Sequence, residues 1–190
     1  MTTVLAFDTA TSVTACALVR DGELLGERLT TAKEVLAAAE ALLGDARLDP
    51  RDLDALVVGT GPGSFTSIRI GLATARGLAL ALELPVAGAC TLAAFNGGTP
   101  VIDARRGEVF TTGPSLARPE ELDVAGMRLV GDGALRYRGL FEAAGAEVPP
   151  DDHPDHRPRA HLLVEHAAGF GPVEAVEPLY LRDPDAVPSR

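Results

Sequence analysis

Short apolar runs at the start of the chain predict a small antiparallel sheet. Residues 4–7 and 13–19 are mainly apolar and have the length of strands, and Asp21-Gly22 is a strong signal for a tight hairpin turn. Residues 23–29 then continue as a third strand. We therefore expect a three-stranded antiparallel meander.

A helical pattern follows this meander. Thr31 and Glu34 have the spacing of a capping box, which predicts a helix that begins near residue 32 and stops at Gly44. The apolar face of this predicted helix consists of Val35, Leu36, Ala39, Leu42 and Leu43.

A glycine-rich loop connects the next strand, 55–58, to a long helix. The loop runs over 59–64 and the helix over 65–82, followed by a strand at 86–89 and a helical start at 91–95. The order βββ-α-β-α-β-α is that of a ribonuclease-H-like lobe in an α/β protein, although fold order alone assigns no function.

The second half of the chain predicts a smaller lobe. Its expected elements are strands at 101–103, 108–112 and 128–130 and helices at 134–144 and 162–168, with a Pro- and Asp-rich loop at 149–158. We expect two domains, an amino-terminal lobe over 1–99 that carries the helices at 32–43 and 65–82 and a reduced lobe over 100–190.

Composition limits the class of protein. A formal net charge of −10 disfavours direct, unaided binding to nucleic acid phosphates. No apolar run of about 18 residues predicts a membrane helix, and the first residues lack the basic region of a signal peptide, so a cytoplasmic protein is expected. Cys16 and Cys90 lie in apolar stretches, which favours buried free thiols over a disulfide.

Two loops have the residue types of a phosphate site. The turn after the first strand offers a carboxylate and hydroxyls, and the glycine-rich loop precedes a helix N-terminus, which favours anions. Both loops also fit a structural role, as a turn with local hydrogen bonds and as a tight strand-to-helix connection. The candidate cofactor-binding residues are Asp8, Thr9, Thr11, Gly61, Gly63 and Ser64.

The long helix carries small residues in two rows. The rows are Gly71, Ala75 and Ala79 in one and Ala73, Gly77 and Ala81 in the other. Small residues at every fourth position let a second helix approach closely. One face can pack on the sheet, so the other face needs a further partner, either within this chain or in another protein.

The four histidines, at 153, 156, 161 and 166, lack the spacing of zinc ligands, and the chain has no Gly-x-Ser-x-Gly motif. We expect exposed histidines without a metal. The sequence therefore supports neither a metalloprotease nor a serine hydrolase.

Together these segments resemble the TsaB (YeaZ) family of bacterial tRNA threonylcarbamoyladenosine synthesis. The matching stretches, in the order of the family, are 5–11, 54–66, 69–79, 91–94, 103–109 and 178–182. The glycine-rich loop with its helix is the most specific part.

The resemblance implies an actin-like ATPase (ASKHA) fold of two ribonuclease-H-like lobes, the second reduced. It implies a non-catalytic subunit that binds and activates the threonylcarbamoyltransferase TsaD, with TsaE in the complex, for modification of the adenosine next to the anticodon. Contact with tRNA only through the complex, a homodimer and no membrane are further expectations. No catalytic residue, metal or cofactor of its own is expected; ATP or ADP would lie at the interface of the complex.

The pairing surface of the family maps onto the helices at 32–43 and 65–82. The expected interface residues are Val35, Leu36, Ala39, Leu43, Ile68, Gly71, Leu72, Ala75 and Ala79. The main alternative is a free-standing actin-fold ATP-dependent kinase or ATPase, which requires tight nucleotide binding by the isolated chain. A ribonuclease-H nuclease would need further acidic ligands beside Asp8 and Asp103.

Overall fold

The computed structural model describes residues 1–167 and 169–182, which form two sheets and five α-helices. The strands of the first sheet are β1 (Thr3–Asp8), β2 (Thr14–Arg20), β3 (Glu23–Thr30), β4 (Ala55–Gly59) and β5 (Val86–Ala89). Those of the second are β6 (Thr99–Arg105), β7 (Glu108–Thr111), β8 (Ser115–Ala117) and β9 (Leu129–Val130). The helices are α1 (Val35–Ala46), α2 (Phe65–Leu82), α3 (Asp132–Arg136), α4 (Arg138–Ala143) and α5 (Ala160–His166).

The first sheet has the strand order β3-β2-β1-β4-β5. β1, β2 and β3 pair antiparallel, which confirms the predicted meander, while β4 and β5 run parallel to β1. The hairpin turn works as expected because Asp21 and Gly22 both adopt positive φ, 51° and 82°, as a type I′ turn requires.

The second sheet repeats this arrangement in a shorter form. Its order is β8-β7-β6-β9, with β6, β7 and β8 antiparallel and β9 parallel to β6. β8 was not predicted, because three residues are too few to show a period. The single helix expected at 134–144 is two short helices that meet at Tyr137.

The helices expected at 91–95 and 162–168 also differ from the prediction. The first is a 3-10 turn at Thr91–Ala94. The second is α5, which begins two residues earlier, and Ala168 at its predicted end lies outside the described residues, as do residues 183–190 of the expected second lobe.

The two faces of the first sheet contribute to different cores. Leu5, Phe7 and Leu56 point toward α1 and α2, whereas Ala6 and Ala17 point to the opposite face. This follows from the alternation of side chains along a strand. Small residues on the second face leave room for α5 and for residues of the second sheet, which share that core.

The ends of α1 differ from the prediction. The hydroxyls of Thr30 and Thr31 donate hydrogen bonds to the Glu34 side chain at 3.1 and 2.8 Å, so Thr31 does not cap the backbone and the α-helix begins at Val35 after a 3-10 turn. These hydroxyls lower the pKa of Glu34. The helix continues past Gly44 and ends where Arg47 takes a left-handed conformation.

Helix α2 is long and apolar enough to cross a membrane by length and composition, contrary to the expectation from the apolar runs. The same test is passed by core helices of soluble proteins, so one such helix is weak evidence. Here one side of α2, including Ile68 and Ala75, packs into the core of the first sheet.

His156 is buried, which corrects the expectation that the four histidines are exposed. Its Nδ1 accepts a hydrogen bond from the Gly131 N–H at 3.1 Å, and its Nε2 lies 3.1 Å from the Pro149 carbonyl oxygen, so the ring donates there. Gly131 lies 25 residues before His156 in the chain, so no local sequence pattern predicts this hydrogen bond. The ring therefore ties the loop after β9 to the segment before α5.

His156→Ala should destabilise the fold by about 1–3 kcal/mol, because it leaves the buried Gly131 N–H without a partner. His166→Ala, at an exposed position near the end of α5, should change stability by less than about 0.5 kcal/mol. Urea unfolding of both variants beside the parent chain measures the difference, and equal effects would contradict the role of His156.

Candidate functional site

Asp8 stands at the end of β1 and is fully buried. Its Oδ1 accepts a hydrogen bond from the Ala10 N–H at 2.7 Å, and its Oδ2 accepts one from the Thr91 hydroxyl at 2.6 Å. Burial raises the pKa of Asp8, although these two bonds act in the opposite direction. The carboxylate is thus held by the chain's own donors.

The glycine-rich loop packs directly on this turn. A Cβ on Gly59 would overlap the Asp8 carboxylate, and one on Gly63 would overlap the Ala10 carbonyl oxygen. The Gly61 N–H donates to the Thr91 hydroxyl at 3.0 Å. Glycine is required at 59 and 63 because any side chain there would overlap the turn after β1. The loop therefore has the structural role that was one of its two predicted roles.

The hydroxyls of the turn are also used internally. Thr9 is buried and donates to the Ser67 carbonyl oxygen at 2.6 Å, and Thr11 donates to the Val13 carbonyl oxygen at 2.7 Å. Ser64 caps α2 as expected, since its side chain accepts from the Ser67 N–H.

The six candidate cofactor residues therefore do not form one surface. Asp8, Thr9 and Gly61 are buried, whereas Thr11, Gly63 and Ser64 line a cleft. The prediction that Asp8, Thr9 and Gly61 contact a ligand is wrong for this structure, because the two loops pack on each other and bury these residues.

The cleft measures about 460 Å³ and lies between the two sheets. Its second wall includes Asp103, whose carboxylate is 3.4 Å from the guanidinium groups of both Arg105 and Arg136. Across the cleft the Ser12 hydroxyl donates to Asp132 at 3.0 Å. Hydroxyls and arginines suit a polar or anionic ligand, but the lining contains neither histidine nor cysteine to act as a general base or nucleophile.

The expected interface residues lie almost entirely inside the chain. Leu36 is exposed, at 46% of its surface, whereas the other eight are buried against the first sheet. α1 and α2 use these side chains to cover the sheet, so the assignment of the eight buried residues to a partner interface is wrong. The buried set is Val35, Ala39, Leu43, Ile68, Gly71, Leu72, Ala75 and Ala79.

Gly71 shows the physical reason most clearly. A Cβ at this position would overlap the Thr9 hydroxyl, and Ala75 one turn later is fully buried. Substitution of either residue by leucine would disrupt the monomer rather than only block pairing.

The second row of small residues is the one that faces outward. Ala73, Gly77 and Ala81 are exposed, no atom lies within 4 Å of a Cβ placed on Gly77, and Leu80 beside them is 84% exposed. Residues 66, 70, 73, 77 and 80 follow one another at alternating steps of four and three along α2, the spacing of a helix-pairing seam. That spacing was the sequence signal for this face.

The two cysteines and the possible metal ligands of the described residues form no reactive or metal-binding cluster. Cys16 is buried and Cys90 half-buried, both without a disulfide, as expected. Burial, with a smaller contribution from the charge of Glu27, raises the pKa of Cys16 to about 12. Among residues 1–167 and 169–182, no three His, Cys, Asp or Glu side chains form a group that could hold a metal ion.

Proteins of known families are similar to this chain in sequence. The family of TsaD, tRNA N6-adenosine threonylcarbamoyltransferase, matches residues 30–125, about half of the chain. The tRNA threonylcarbamoyladenosine biosynthesis protein TsaB of Escherichia coli is 40% identical over 121 residues, which cover 56% of this chain and 52% of that protein. The chain belongs to the TsaB family.

Two further relatives match nearly the full length of this chain. An uncharacterized protein of Mycobacterium tuberculosis is 38% identical over 209 residues, covering 99% of this chain and 95% of that protein. The structure of YeaZ from Pseudomonas aeruginosa superposes with a TM-score of 0.77 at 25% identity and covers 95% of this chain and all of that one. The mixed α/β fold with two sheets is therefore shared with YeaZ.

Asp8→Asn should change the pH dependence of stability of this TsaB-family chain. The pKa of Asp8 is higher in the folded chain than in the unfolded chain, so its protonated form stabilises the fold. This contribution to stability is fully present below the unfolded pKa of about 3.9 and is lost as pH rises through the folded pKa. Asparagine cannot ionise, so the stability of Asp8→Asn relative to the parent should increase from about pH 4 toward neutral pH.

Thermal unfolding from pH 4 to pH 8 measures this difference in slope, with the exposed Asp123→Asn as the control that should follow the parent chain. A difference between Asp8→Asn and the parent that stays constant with pH would show that ionisation of Asp8 does not matter for stability.

Proposed function

We propose that this chain is the non-catalytic subunit that binds and activates a TsaD-type threonylcarbamoyltransferase during synthesis of threonylcarbamoyladenosine next to the tRNA anticodon. The role in this biosynthesis is supported by the TsaB relatives, which are named for it. The observation that carries the proposal is the exposed seam of α2, which is defined here as Thr66, Ile70, Ala73, Gly77 and Leu80.

The seam suits a partner helix for a physical reason. Ala73 and Gly77 present almost no side chain, so the backbone of a second helix can approach α2 closely, while Ile70 and Leu80 add apolar area at either end. Leu80, which is 84% exposed, would lose most of its contact with water on binding, which favours association. A TsaD-type chain is the proposed cover.

The proposed fold is the actin-like ATPase (ASKHA) arrangement of two ribonuclease-H-like lobes, over 1–99 and 100–190. Support comes from the repetition of an antiparallel meander followed by a parallel strand in both sheets. In the second, β9 has only two residues and the helices α3 and α4 have five and six. This size supports a reduced lobe.

A non-catalytic role agrees with how the first lobe uses its loops. Asp8 and Thr9, two of the residues expected to bind a phosphate, are buried and bonded within the chain. The alternative, a free-standing ATP-dependent kinase or ATPase, is favoured by one observation, the polar cleft that Ser64 and Arg105 line.

The remaining expectations extend this proposal. TsaE is proposed as a further subunit of a cytoplasmic complex, through which alone tRNA is reached. A nucleotide, ATP or ADP, is proposed at the interface of that complex rather than on this chain. The same seam would form a homodimer when the partner is absent, because a two-fold contact between identical helices is self-complementary.

Co-expression with the TsaD-type chain of the same organism tests the proposed function. We expect the two chains to co-purify, to modify tRNA only together with the other components, and this chain alone neither to bind nor to hydrolyse ATP. Tight ATP binding and turnover by the isolated chain would instead support the kinase or ATPase.

Gly77→Leu should abolish co-purification and leave the isolated chain folded. The leucine side chain would fill the space that the partner helix needs, while the open surroundings of Gly77 accept it and the helix gains up to about 1 kcal/mol in intrinsic propensity. Pull-down and thermal unfolding measure the two effects.

Gly139→Leu in α4 is the matched control, since Gly139 is also an exposed helical glycine with open space around it. It should keep the interaction with the TsaD-type chain. Normal complex formation by Gly77→Leu would rule out the seam as the interface.

A further inference from the structure

The segment Leu179–Arg182 crosses from the first sheet to the second along one side of the cleft. At its first residue, the Leu179 N–H donates to the Thr60 carbonyl oxygen at 2.8 Å, directly after β4. A Cβ on Gly61 would lie 2.9 Å from the Leu179 carbonyl oxygen, so the two backbones are in close contact. This end belongs to the first sheet.

Tyr180 strengthens the same end. Its ring centroid lies 4.8 Å from that of Phe65, and its hydroxyl accepts a hydrogen bond from Arg69 Nε at 3.3 Å. The Arg69 guanidinium in turn stacks 3.9 Å above the Phe65 ring. Three side chains thus hold the segment on the first turn of α2.

The other end belongs to the second sheet. Leu181 packs against the core between the two sheets, and the Arg182 guanidinium donates to the Ala104 carbonyl oxygen at 2.9 Å and to the Glu108 carboxylate. Both members of this ion pair are only partly exposed, 24% for Arg182 and 30% for Glu108, which strengthens it relative to a surface pair.

Residues only two positions apart therefore contact different parts of the fold, with Tyr180 on α2 and Arg182 on β6 and β7. A segment of four residues spans at most about 13 Å when fully extended, so its two anchored ends limit how far the sheets can separate. The cleft between them, of about 460 Å³, has this segment as part of its lining.

We propose that Leu179–Arg182 is a strap that sets the width of the cleft by fastening the second sheet to the first turn of α2. The strap keeps Ser64 and Thr66 on one wall at a fixed distance from Asp103 and Arg105 on the other. Its release at either end opens the cleft. This inference concerns the chain by itself and does not depend on the proposed partner.

Spin labels on the two walls test the strap. Thr66→Cys and Arg105→Cys place labels at exposed positions on opposite walls, in a Cys90→Ala background, because Cys16 is fully buried. Pulsed electron–electron resonance then measures the distribution of distances. The parent chain should give one narrow distribution.

Arg182→Gln and Tyr180→Ala, which release the strap at opposite ends, should each lengthen and broaden that distribution by several ångström. Arg157→Ala, an exposed arginine outside the strap, is the control and should leave it unchanged. Far-ultraviolet circular dichroism checks that the helices are kept. An unchanged distance in Arg182→Gln, or broadening that occurs only together with loss of helical signal, would overturn the strap.

Discussion

The contact between the glycine-rich loop and the turn after β1 determines how α2 is placed on the first sheet. Gly59 and Gly63 let this loop lie directly on Asp8 and Ala10, at a distance that any side chain would prevent. The start of α2 is thereby fixed, with the Ser64 N–H bonded to the Ala10 carbonyl oxygen at 2.7 Å. Every later feature of α2 depends on this placement.

Because its start is fixed, α2 has a fixed rotation about its own axis. Gly71 must meet Thr9, and the residues on its side of the helix enter the core of the first sheet. The opposite side, with Ala73 and Gly77, is left exposed. The exposed face of α2 is therefore a consequence of the packing of two loops.

The same contact explains why Asp8 and Thr9 are not exposed to the cleft. Asp8 and Thr9 stabilise the turn through bonds to Thr91 and Ser67, so they serve the fold and not the cleft. The second sheet and α3 contribute charged side chains that already pair with each other, such as Asp103 with Arg136.

The sequence by itself determined the elements whose signals are local. Asp21-Gly22 predicted the hairpin, the 59–64 loop predicted the connection into α2, and the apolar runs at 4–7 and 55–58 predicted strands. The tertiary structure decided which row of small residues on α2 is inside, because both rows have the same spacing. It also decided the burial of His156, which accepts a hydrogen bond from the N–H of Gly131, 25 residues earlier in the chain. Local patterns specify periodicity and turns, whereas the choice of face and partner depends on contacts between segments that only the folded chain brings together.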